Sequence, residues 1–287
     1  AAAVMLDIQT GRFTEAQAAM RIIAVHTTEA RSSSWLHASG HLFYILLEWH
    51  LGHLDALRAR RDAVVVAAEE RGDRYLELLA RALMSPLLAL VDDEPRQAKE
   101  LLERAVDDLY PDGVGFLHAL VARGRVLEAS YADDPLRILA LQADPTFAVA
   151  AEYAKVSHFS RVQATFGRGA TALHALRHAD RAAHDLLLQI ARTALDDLRA
   201  DVVPWTPGLE AILVAGLAAQ RDAKGEAREA LAFAAQELEA LGWGLHAAAA
   251  TWQRSRLSGE DARLPALVQE QRLAAPERYL AMLAPIF

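Results

Sequence analysis

Residues Leu51 to Arg61 read LGHLDALRARR. A long apolar segment stops at Gly52, and a second helical pattern begins within a few residues. The same punctuation returns as TGRFTEA at Thr10–Ala16, DDEPRQA at Asp92–Ala98, DDPLRIL at Asp133–Leu139, RHADRAA at Arg177–Ala183 and RDAKGEA at Arg221–Ala227. The spacing, about 41 to 44 residues, is the length of one helix-turn-helix unit. It predicts an all-α chain: an α-solenoid of about six helix-turn-helix repeats with a C-terminal helical cap near residues 260–274 and 276–284, forming one domain over residues 1–287.

Local chemistry places the corners. A helix ends most easily on a left-handed glycine, and Asp and Pro favour the start of the next one. Gly11, Gly52, Asp93 with Pro95, and Asp134 with Pro135 therefore read as turns between helices. Each is followed by a small residue such as Ala16, Ala56 or Ala98, which lets the second helix lie close against the first. YPDG at 110–113 reads as a further turn.

The helix Trp35–Leu51 is apolar nearly all round and should be sandwiched between neighbours, with Leu54–Arg71 as its partner. Pro86 should kink the helix Tyr75–Val91 unless packing absorbs the bend. Residues 136–169 are the least regular: DPTFAVAAEYAKVSHFSRVQATF reads as one long helix, and GRG at Gly167–Gly169 as a corner. Helices are expected again near 181–200, 207–220, 223–241 and 243–257. The first corner leaves about ten residues for the helix before it, against about seventeen to twenty later, so residue 1 is expected to lie inside a repeat of a longer chain.

Composition narrows the function. Of 287 residues, 53% are hydrophobic and 24% charged, the balance of a soluble protein with ample core. A net charge of -8 argues against nucleic acid as the main ligand. With no Cys there are no disulfides, thiol nucleophiles or cysteine zinc sites, and with no Asn there is no glycosylation sequon; a reducing cytoplasm fits best. No apolar run approaches the length that spans a bilayer.

Neither GxxxxGK nor the kinase motifs HRD and DFG occur, and HExxH and GxSxG are likewise missing, so no enzymatic activity and no cofactor are expected. His37 with His41, and His174 with His178, stand four apart, the spacing at which two imidazoles can share a zinc ion. Without Cys, a third ligand would have to be Glu48 or a carboxylate from another helix, and such pairs more commonly face water or cap a neighbouring helix. The aromatic residues sit mostly on the first helix of each pair, as core filling. One polar pattern is left over. On the helix Trp35–Leu51, residues His37, His41, Tyr44 and Glu48 fall on a narrow stripe at helical spacing. One repeat further on, His37 corresponds to Glu77, then to His118 and His158, with Arg74, Arg81 and Arg125 on the same stripes. These ten residues are the candidate partner-binding row, expected along the concave face and expected to respond to pH between about 5 and 8 as the histidines titrate.

The TGRFTEA corner resembles the turn of tetratricopeptide repeats, although the spacing is longer than the roughly 34 residues of that repeat. AAEERGDRY at Ala67–Tyr75, PWTPGLEAILVAGLAAQRD at Pro204–Asp222 and APERYLAMLAPIF at Ala275–Phe287 together resemble the C-terminal helical-repeat region of large bacterial serine/threonine kinases, common in myxobacteria, that also carry a signalling ATPase domain. The resemblance implies a non-catalytic regulatory scaffold for a protein or peptide partner, upstream domains of the same chain included. The alternative is a helical-repeat sensor that encloses a small molecule or peptide, as in bacterial transcriptional regulators.

Overall fold

The computed structural model describes residues 2–29, 34–109, 116–141, 144, 150, 152–155, 157–259 and 263–286. The YPDG turn lies outside them. All regular structure among the described residues is helical. Two kinds of helix alternate, and the sequence shows why. In α1 (Ala2–Gln9) and α2 (Phe13–Glu29) the pattern is just beginning. From α3 (Ser34–Leu51) and α4 (Leu54–Arg71) onward, one helix of each pair is apolar over most of its surface and the other carries a single stripe. In α4 the buried residues are Leu54, Leu57, Val64 and Ala68. α7 (Pro95–Asp107) buries Ala98, Leu102 and Ala105. The intervals of three, four and seven place each set on one side of a 3.6-residue helix.

The rod between them has three parts: α5 (Arg74–Leu79), a π-helical turn (Ala80–Met84) and α6 (Ser85–Val91), whose Pro86–Val91 are all buried. The π turn is the answer to Pro86. A proline ring collides with the carbonyl four residues back, here that of Ala82. Widening the preceding turn, so that the Ser85 amide donates to the Ala80 carbonyl, relieves the collision without a break.

α8 (Phe116–Tyr131) and α9 (Pro135–Leu141) follow, then α10 (His158–Ala175), α11 (Arg181–Ala200), α12 (Thr206–Ala219), α13 (Lys224–Ala240), α14 (Gly244–Ser258), α15 (Ala266–Glu270) and α16 (Pro276–Leu283). Two expectations are corrected here. The irregular segment is not one long helix, because Ser157 leaves the helical conformation and caps α10, its hydroxyl accepting from the Ser160 amide at 3.2 Å. GRG is not a corner but lies inside α10. A Cβ on Gly169 would come within 2.7 Å of Leu213 and 2.9 Å of Ala194, so this glycine lets α11 and α12 approach.

The corners otherwise form where expected. Gly11, Gly52, Gly72 and Gly242 are left-handed, and Asp93, Asp133 and Asp222 adopt the same conformation. The second aspartate corner falls on Asp133 rather than Asp134, which instead accepts from the Arg137 amide at 3.0 Å. Ala16 and Ala98 are wholly buried, and Ala56 is half-buried.

Successive helices pack on each other, but the chain also touches itself far along its length. α3 lies against α14, and α16 against α6, α8 and α14. Trp49 donates its indole N–H to the Tyr279 hydroxyl at 3.0 Å. Arg278 donates to the Tyr131 carbonyl at 2.7 Å, and the Ala274 amide to the Val91 carbonyl at 2.9 Å. Phe13 meets Trp205 and Trp243 edge-on, with ring centres 5.8 and 5.4 Å apart. Trp49, Trp205 and Trp243 are buried, so these aromatics do fill the core. An open array has contacts only between neighbours; here α16 seals against α6, α8 and α14.

Candidate functional site

The ten residues of the predicted row are dispersed. The side chain of His37 is outside the described set. His41 is buried, and Glu48 is almost inaccessible at 1% exposure. The Glu48 carboxylate accepts from Gln17 of α2 at 2.9 Å and pairs with His53 at 2.8 Å. Tyr44 sits beside it under the guanidinium of Arg60, 4.6 Å above the ring. Burial and the neighbouring Glu48 push the Tyr44 phenol above its usual range. This network ties α3 to α2 and α4.

Arg74, Glu77 and Arg81 do come together, in a small recess shared with Tyr75, Leu78, Asp108 and Leu117. Arg81 pairs with Glu77 one turn back and with Asp108 at 2.9 Å. His118 is mostly buried, which lowers its pKa. Arg125 is bound by Asp144 at 2.7 Å. His158 lies 3.5 Å from Asp201, which also holds Arg161 at 2.6 Å. The row therefore forms one ion-paired recess and several separate inter-helix ties.

The second histidine pair finds a carboxylate. His174 and His178 approach Asp133 at 2.9 and 3.2 Å, and Arg177 lies at 3.7 Å. Burial alone would raise the Asp133 pKa, but the bond from His178 and the neighbouring His174 and Arg177 outweigh it and hold it low. Burial lowers His174 to about 4 despite Asp133. The arrangement is a neutral imidazole on an ionised carboxylate. Among the described residues no three His, Cys, Asp or Glu side chains are placed to hold a metal ion.

A groove between α11 and α12 was not anticipated. Its floor is Leu188, Leu195, Val214 and Leu217, and its rim carries Arg192, Asp196, Arg199, Arg221 and Glu226. Arg199 pairs with Glu210 and Arg221 with Glu226, at 2.8 and 2.9 Å. Arg192 has no ion pair among the described residues. The sequence signal is the Leu186–Leu187–Leu188 run. A stripe helix needs one leucine of three consecutive positions in the core, and Leu187 takes that place at 1% exposure. Leu188 is left to line the groove.

No protein-family model, curated protein or solved structure matches this chain. The reading of function therefore rests on the residues themselves.

Proposed function

We propose that the chain is a tetratricopeptide-like helical-repeat module serving as a non-catalytic interaction scaffold, the regulatory region of a cytoplasmic bacterial signalling protein. The observation that carries this reading is the α11–α12 groove, an apolar floor beside an unpaired arginine. Such a floor suits the apolar face of an amphipathic helix, read at positions i, i+3/i+4 and i+7. Arg192 favours an acidic residue on that helix, since a rim charge steers and orients more than it tightens.

A random 16-residue peptide library displayed on phage tests this. Selection on the wild-type chain should enrich amphipathic sequences that carry Asp or Glu beside the apolar stripe. Leu188→Glu with Leu217→Glu should abolish the enrichment, and Arg192→Glu should remove the acidic preference. No enrichment, or enrichment indifferent to these substitutions, would overturn the proposal.

A further inference from the structure

Where α3, α8, α14 and α16 meet, polar groups are enclosed without partners. Arg123 of α8 lays its guanidinium over Trp49, 4.3 Å from the ring centre. Its two terminal nitrogens are closed off from solvent and make no hydrogen bond. Trp49 also touches His50 and His246, with ring centres 4.7 and 5.4 Å away. The two imidazoles stack at 6.2 Å, nearly parallel. His50 is 0% and His246 2% exposed; His50 donates its Nδ1–H to the Leu46 carbonyl at 2.6 Å, which leaves its Nε2 an unpaired acceptor, while His246 Nδ1 and the indole N–H of Trp243, 4.3 Å ring to ring from His50, are unpaired as well.

The charge balance of this region is one-sided. Burial, reinforced by Arg123, keeps both histidines neutral: His246 falls to about 3, and His50 lies well below the ordinary value. Burial lowers Arg123 only to about 10, so it stays a cation at neutral pH. Among the described residues, the acidic group that favours its charge is the Tyr279 phenol, itself pushed up to about 12 by burial and therefore neutral. A π face answers part of a guanidinium's charge, but not its in-plane N–H donors. Buried donors are nearly always satisfied in folded proteins, and an unsatisfied set with a net charge calls for a counter-ion.

We propose that Arg123 anchors an internal site for a small planar oxyanion, a carboxylate of acetate size, gripped through both terminal nitrogens and walled by Trp49, Trp243 and the two histidines. Two parallel N–H donors match a carboxylate's two oxygens, and the neutral imidazoles leave the site with a single positive charge. The site is independent of the α11–α12 groove, so either can fail without the other.

Acetate itself is the probe. Protein with 15N-labelled arginine should show the Arg123 Nε resonance moving saturably as sodium acetate is added at constant ionic strength and pH 7.5. Sodium acetate should also raise the thermal midpoint above that in equimolar chloride, because a ligand that binds only the folded state stabilises it. Arg123→Lys, which keeps the charge but loses the paired donors, should remove most of that rise. A resonance that does not move, or a rise equally large in Arg123→Lys, would overturn the site. If Arg123→Lys does not fold, the wild-type resonance alone decides.

Discussion

At the scale of single residues, the two glycines of GRG show how local space sets the sign of a substitution. Gly167 and Gly169 sit two positions apart in α10. A Cβ on Gly167 would make ordinary contact with Val126 at 3.7 Å, whereas one on Gly169 would collide with Leu213 and Ala194. Helix propensity favours alanine by about 1 kcal/mol at both, but overpacking costs about 1–3 kcal/mol. Gly167→Ala should raise the urea midpoint and Gly169→Ala should lower it. From sequence the pair looked like a corner, because a glycine's neighbours in space are not written beside it. The buried histidines supply a second prediction. His246 and His174 have folded-state pKa values of about 3 and 4, below the unfolded 6.5. Their stabilisation is therefore complete above pH 6.5 and is lost as pH falls, since the unfolded chain then binds protons the folded one refuses. At pH 5 the loss is about 2 kcal/mol for each. Glu128, raised to about 7 by burial against the pull of Arg137, works in the opposite direction over the same range. The difference between variants isolates one group: His246→Gln should reduce the fall in urea stability between pH 7 and pH 5 by about 2 kcal/mol. An unchanged pH dependence would mean that His246 titrates normally.

At the scale of elements, the corners were the most legible part of the chain, because glycine, aspartate and proline act within a few residues. The slip from Asp134 to Asp133 has the same cause: adjacent aspartates can divide the work, one taking the left-handed conformation and the other capping the next helix. Asp222 is left-handed at φ 56°, and among the described residues its side chain makes an exposed ion pair with Lys224 at 3.6 Å and no other. Asp222→Gly should therefore stabilise by up to about 1 kcal/mol. Gly52→Ala should destabilise by more than that, since φ is 86° and the new methyl would meet Leu267 at 2.8 Å. Thermal midpoints of the two variants test both signs. The candidate row was less legible. Helical spacing could not tell that Glu48 would be taken up by Gln17 and His53, or Arg125 by Asp144. Partners from other elements decide whether a polar stripe faces water.

At the scale of the whole molecule, periodicity pointed to neighbour packing and gave no sign of the seal made by α16. Tyr279, Leu280 and Leu283 look like any cap residues in sequence, yet each is at most 1% exposed, on a helix that packs against α6, α8 and α14. Truncating a large buried aromatic costs about 3–5 kcal/mol. Tyr279→Ala should therefore speed amide hydrogen exchange in α3 and α8 as well as in α16. Faster exchange confined to residues 263–286 would show that α3 and α8 are stable without it. The bond from Trp49 to Tyr279 also has a consequence for synthesis. It joins positions 230 apart in the sequence. A chain with only neighbour contacts can lock each hairpin as it leaves the ribosome. Here α3 and α8 wait with Trp49 and Tyr131 uncovered until residues 276–283 have emerged, tens of seconds later at about 5–20 residues per second. The early helices are thus the ones that need a chaperone's cover, and a ribosome stalled before residue 276 would hold them formed and still open.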